Sequence, residues 1–224
     1  MSVITFSREI GSQGRQIAEN TAHVLGYHFM DKNSIGSIME EYGLVEFDRQ
    51  YESPPTFWDL FDTHLMERRK EMIKMLNLIL LALAHHGNMV ILGRCGFAVL
   101  HDYANVLNVR IQAPWENRVR QAMADRNIAD MEQAEAFVKE NDKARTDFVE
   151  FFYDVKWDTA AAFDLVINTG KIAPETATDW IISTARKMDE SQEAGVKTTA
   201  SIPVDQVLHS VICEELHCSK VHSR

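Results

Sequence analysis

The sequence predicts an α/β fold: a doubly wound, five-stranded parallel sheet with helices on both faces. Three observations carry the prediction. Five short runs rich in apolar residues, Val3–Phe6, Tyr27–Met30, Met89–Leu92, Val106–Ile111 and Phe163–Thr169, are spaced along the chain; runs of this length read as strands, and the continuous ones as strands covered on both faces. Stretches with helical spacing separate them, and strands alternating with helices build a parallel sheet. The first run also leads into a loop with two glycines three apart, Gly11-Ser12-Gln13-Gly14, and then into a helix. That order gathers backbone N–H groups at the positive end of a helix dipole, where phosphate binds.

Taken in order, the first helix places Ile17, Thr21, Val24 and Leu25 on one face and ends at Gly26, a residue free to adopt the positive φ of a helix C-terminus. The second strand stops at Asp31-Lys32. Ligand crevices of open α/β sheets lie beyond the carboxyl ends of the strands, so Asp31 either faces a crevice or caps the following helix. Residues 35–62 are mostly polar and acidic, and Pro54-Pro55 rules out one continuous helix. This stretch reads as a helical insertion over the crevice, with Phe57, Trp58 and Phe61 packing it down or stacking on a base.

A long helix is predicted over about residues 64–86, nearly all apolar from Leu76 to Ala84. About ten apolar residues cannot span a bilayer, which needs about 20, so it is a core helix. The third strand ends in Gly93-Arg94: the glycine lets backbone approach a ligand, and an arginine directly after a buried strand aims its guanidinium into the crevice. After the fourth strand, Pro114 and Glu116 open a helix whose Arg118, Arg120 and Arg126 form either a solvated face or a phosphate clamp. The next helical stretch, 130–152, puts Asp142 and Arg145 three apart on one face, as a surface ion pair or as part of a site. Pro174 opens a last core helix to about residue 188.

Residues 189–203, rich in Glu, Ser, Gly and Thr, read as a linker, and 204–224 as a C-terminal tail in which Val207, Leu208, Val211, Ile212 and Leu216 form an amphipathic stripe. Such a helix docks on the core or pairs with a second copy in a homodimer. His209, Cys213, His217 and Cys218 match no zinc-ligand spacing, and no metal-ligating residues are assigned. A net charge of −10, from 23 basic and 33 acidic side chains, argues against a nucleic-acid surface. The three scattered cysteines and the want of a signal peptide before the first strand point to a reduced, cytoplasmic setting.

With these residues assembled, the chain resembles the cytidylate kinase-like family, a nucleoside monophosphate kinase branch of the phosphate-loop proteins. The resemblance is carried by Ile4 to Arg15, Phe29-Met30-Asp31-Lys32, Gly93-Arg94, Arg110 to Pro114 with Arg118, Asp142-Lys143-Ala144-Arg145, and Phe163 to Thr169, in order over about residues 3–188. It implies a kinase-like domain over 1–188, an acceptor-binding insertion at about 35–63 and a lid at about 128–158. The glycine loop, Gly11, Ser12, Gln13, Gly14, Arg15 and Gln16, would cradle the phosphates of ATP, with Arg118 supporting the donor side. Asp31, Arg94, Asp142 and Arg145 would face the acceptor. Arg15, Arg94 and Arg145 would supply positive charge around the transferring phosphoryl group, with Mg²⁺, which is most of what phosphoryl transfer asks of a protein.

Against the full phosphate-loop pattern, G-x-x-x-x-G-K-[ST], Glu9 stands for the first glycine, Arg15 for the lysine and Gln16 for the hydroxyl. Cytidylate kinases keep the lysine and hydroxyl. The expectation is an ATP-dependent phosphotransferase acting on a nucleoside monophosphate of the CMP or dCMP kind. The alternatives are a nucleotide-binding module without turnover, acting as a sensor or interaction protein, and an enzyme for a sugar or protein hydroxyl.

Overall fold

The computed structural model describes residues 2–41, 63–93, 95–191 and 195–216. Arg94, the aromatic residues Phe57, Trp58 and Phe61, and His217 and Cys218 lie outside the described residues. Five strands, β1 (Val3–Arg8), β2 (His28–Met30), β3 (Met89–Leu92), β4 (Val106–Gln112) and β5 (Leu165–Asn168), form one sheet in the order β2-β3-β1-β4-β5. All four pairings are parallel, and Val3 aligns with Met89 on one side and Val106 on the other.

The apolar strands are explained by the pleat, which sends alternate side chains to opposite faces. Ile4, Phe6, Val90, Leu92, Leu107, Val109 and Ile111 pack on one face under α1 (Gly14–Leu25) and α7 (Pro174–Glu190), against Ile17, Ala18, Ala177 and Ile181. Val3, Met89, Ile91 and Val106 pack on the other under α2 (Lys32–Glu41) and α3 (Thr63–His86). Along this second face β1 reads Val3, Thr5, Ser7, so it turns polar towards its carboxyl end. Thr5 Oγ1 donates to Asn108 Oδ1 at 2.7 Å, inside the sheet. The polarity therefore rises where the strands open into the crevice.

Short α4 (Gly96–Val99) follows β3, and α5 (Trp115–Arg126) and α6 (Met131–Tyr153) follow β4. Asp130 caps α6 by accepting from the Glu132 amide at 3.2 Å. Before β5, residues Ala160–Ala162 form a 3₁₀ turn, so the strand is shorter than the run from Phe163 implies.

Two expectations are corrected. Residues 35–41 belong to α2, and Ile35, Ile38 and Met39 are fully buried core rather than the start of an insertion above the crevice. The helix was expected from the sequence, but its burial in the core was hidden by the acidic residues around it. The stretch read as a linker is docked. Asp189 and Glu190 complete α7, the Lys197 carbonyl accepts from the Ala104 amide at 2.9 Å, and buried Thr199 exchanges two 2.8 Å hydrogen bonds with Asn105. Beyond it α8 (Gln206–Glu215), capped by Asp205, inserts Leu208, Ile212 and Leu216 into the core shared by α2 and α3. Of the amphipathic stripe, Leu208, Ile212 and Leu216 are thus buried within the chain, and Val207 is exposed.

Candidate active site

The turn after β1 is set by two residues in the left-handed region, Gly11 at φ 75° and Gln13 at φ 60°. Ser12 Oγ donates to the Glu9 carbonyl at 2.8 Å, and α1 closes its first bond from the Ile17 amide to the Gln13 carbonyl at 3.2 Å. The amides of Gly14, Arg15 and Gln16 precede that bond and start the helix without intrahelical partners. Gly11 has no room for a side chain, because a Cβ there would lie 2.2 Å from the Arg118 carbonyl oxygen. At Gly14 it would lie 2.6 Å from the Arg8 Cβ. Both glycines are there to let other backbone and side chains close on the loop.

Charge surrounds the loop in two groups. In the first, Glu9 accepts from the Ala113 amide at 3.1 Å and faces Arg118 Nε at 3.4 Å and Arg110 Nη2 at 3.5 Å. Arg118 also donates to Asp142, which accepts from the Ile10 amide at 3.1 Å and stands 3.6 Å from Arg145 Nη1. Arg145 in turn donates to the Arg8 carbonyl at 3.3 Å. Asp142 therefore ties α6 to the glycine loop, and Arg118 is a buried link rather than part of a solvated face; Arg120 and Arg126 are exposed. Arg110 stacks 4.4 Å from the Trp157 ring and donates to its carbonyl at 2.6 Å. Burial lowers the pKa of Arg110, with Glu9 opposing, and the guanidinium stays cationic because arginine titrates so far above neutrality.

The second group lies on the β2 side. Arg15 spans Glu19, Nε to Oε1 at 2.8 Å, and Asp31, Nη2 to Oδ2 at 2.9 Å, over the Phe29 ring. Asp31 is buried, and its Oδ1 caps α2 by accepting from the Asn33 and Ser34 amides at 2.8 and 3.3 Å. It thus caps α2 with one oxygen and pairs with Arg15 through the other, and it is not among the residues that line the cleft. Burial raises its pKa, but the two amides and Arg15 outweigh that and leave the carboxyl below its usual range.

Between the carboxyl ends of β1 and β3 and the inner side of α6 lies a cleft of about 410 Å³, a size suited to a small ligand. Arg8, Lys32 and Arg145 give it positive charge against the carboxylate of Glu140, and Phe97, Phe148 and Trp157 give it aromatic walls. Gly93, at φ 78°, forms part of the lining, and its amide donates to the Phe6 carbonyl at 2.7 Å. Trp157 Nε1 is fixed by Ser7 Oγ at 2.9 Å.

Of the residues singled out from sequence, the structure brings Gly11 to Gln16, Asp31, Arg118, Asp142 and Arg145 to this end of the sheet. Asp142, however, spends its oxygens on protein donors. Arg8, Glu9, Lys32, Arg110 and Trp157 were missed as site residues. Arg8 was within reach, since the reasoning applied to Arg94, a charge directly after a buried strand, applies to it equally. Glu9 and Trp157 act through partners far away in sequence and left no local signal.

The residues present fit the phosphates of a nucleoside triphosphate, through the open N-terminus of α1 and the guanidinium of Arg15. For Mg²⁺ the loop offers no exposed hydroxyl: Ser12 and Ser7 are buried, and exposed Gln16 occupies the usual position. Mg²⁺ keeps several waters and binds largely through substrate phosphates, and Gln16 would be the neighbouring protein oxygen donor.

Sheet order, glycine turn and basic crevice together define a protein of the phosphate-loop, nucleoside monophosphate kinase-like fold. Residues 3–171 match the model of the cytidylate kinase-like family, and the chain belongs to that family. It is 27% identical over 186 residues to a cytidylate kinase of Ignicoccus hospitalis, covering 81% of this chain and 97% of that one. A shorter stretch of 99 residues is 32% identical to a uronate isomerase of Corynebacterium glutamicum, spanning 44% of this chain but only 19% of the isomerase. Among solved structures, an uncharacterized protein from Eubacterium ventriosum superposes with a TM-score of 0.65 at 21% identity, covering 86% of this chain and all, 100%, of that one. Among the described residues, no helix is long and apolar enough to cross a membrane.

Proposed function

We propose that the protein is an ATP-dependent phosphotransferase that moves a phosphoryl group, with Mg²⁺, to a nucleoside monophosphate of the CMP or dCMP kind. The observation that carries this reading is the convergence of Arg8, Lys32 and Arg145 with Phe97, Phe148 and Trp157 in one cleft beside the glycine turn. Cations in its lining suit the acceptor's phosphate, and flat apolar walls suit a base. The donor's phosphates lie on the amides of Gly14, Arg15 and Gln16. Arg145 lies at the seam, within hydrogen-bonding distance of the β1 terminus and on the cleft wall, so it meets charge developing between donor and acceptor. Arg94 joins it on the strength of the family resemblance. Arg118 and Asp142 act indirectly, by fixing the loop against α5 and α6.

The test is ATP consumption with Mg²⁺ against CMP, dCMP, UMP, AMP and GMP, alongside calorimetric ATP binding. Turnover with a pyrimidine monophosphate is expected, and Arg145→Ala is expected to lower kcat about 100-fold, the scale seen when one donor to a developing charge is removed. ATP binding without turnover on any acceptor would favour a nucleotide-binding module. That second reading has its own support in the loop, where Arg15 replaces a lysine and is held by two carboxylates.

A further inference from the structure

We propose that Asp31 is a positioning residue for the donor: it acts through Arg15, holding that guanidinium at the first turn of α1, and does not bind the acceptor. The inference rests on the reading of the glycine turn as an ATP site. Arginine at a lysine's position carries a long, rotamer-rich side chain whose planar fork is useful only when its plane is fixed. Two carboxylates share that task unequally. Glu19 lies one turn along the same helix, with its side chain 46% exposed, and exposed i,i+4 pairs hold little.

Asp31 is different in kind. Its side chain is 9% exposed, its Oδ1 is tied down by two backbone amides, and its Oδ2 takes Arg15 Nη2 at 2.9 Å. The Phe29 ring, 5.6 Å below the guanidinium carbon, completes the seat. A carboxylate spent in this way has little left for a sugar hydroxyl or a base. Its depressed pKa agrees with continuous ionisation at neutral pH.

The experiment is a double-mutant cycle on the full chain, read as calorimetric ATP affinity with Mg²⁺ and as separate KM values for ATP and CMP. Asp31→Asn keeps a good helix cap and removes the charge; Asp31→Ser, which also caps, repeats the test should the first variant not fold. Arg15→Ala truncates an exposed side chain. The expected result is that Asp31→Asn and Arg15→Ala each weaken ATP binding about tenfold, that the double variant is no weaker than Arg15→Ala alone, and that the KM for CMP is unchanged. A raised KM for CMP with ATP affinity intact would overturn the proposal and leave the kinase reading standing, as would additive losses. A wild-type protein that does not bind ATP would overturn both.

Discussion

Gly11 shows how narrowly a single residue can be constrained. Its φ of 75° suits glycine, and the Arg118 carbonyl oxygen would stand 2.2 Å from any Cβ. Gly36, inside α2, has nothing within 4 Å of the same built atom. The two positions should respond to alanine with opposite signs. Gly11→Ala is expected to destabilise by more than about 1 kcal/mol, since left-handed strain and a backbone clash add. Gly36→Ala should stabilise by about 0.5–1 kcal/mol, because glycine is a poor interior helix residue. Urea midpoints of both variants against the parent decide the matter; a neutral Gly11→Ala would mean that α5 does not press on the loop as described.

At the level of elements, the strands were legible because each is a compact apolar run, and the pleat divides its side chains between two helix layers. Less was legible where one class of signal hid another. The acidic composition after residue 35 concealed Ile35, Ile38 and Met39, and the small polar residues before α8 concealed Thr199, whose partner Asn105 lies 94 positions away. Long-range pairing leaves no mark on local composition. The docking of α8 gives a quantitative check. Ile212 is 1% exposed in a core built from three helices and the sheet, whereas Val207 on the same helix is 63% exposed. Ile212→Ala is expected to cost about 2–5 kcal/mol of unfolding free energy and Val207→Ala less than about 0.5 kcal/mol. Equal, small effects would show that the helix contributes no core.

For the whole molecule, two groups tie stability to pH with the same sign. His28 lies edge-on to His86, with ring centroids 5.5 Å apart, and burial and that neighbour lower its pKa. Its contribution is present above the ordinary histidine value of about 6.5 and is lost as pH falls through its lowered folded value. The Asp31 carboxyl is likewise depressed, so its contribution is complete above about pH 4 and disappears as acid protonates it. Urea titrations from pH 8 downward should therefore show a shallow loss beginning near pH 6.5 and a second below about pH 4. His28→Phe should flatten the first and leave the second; a profile unchanged by that substitution would remove the histidine pair from the account.

The site was less legible than the fold at this scale, because it is assembled from side chains at the ends of separate elements. The glycine turn and the arginines could be found from spacing, but the pairing of Arg118 with Asp142 and of Arg15 with Asp31 depends on which strands become neighbours. The return of residues 202–216 to the layer of α2 and α3 bears on how the chain is made. During synthesis, the apolar surface around Leu76, Leu80 and Leu83 leaves the ribosome well before Ile202, Leu208, Ile212 and Leu216, the residues that share its core. For that interval the nascent chain carries an uncovered greasy face, and its protection in the cell depends on how quickly residues 202–216 follow or on a chaperone that covers it first.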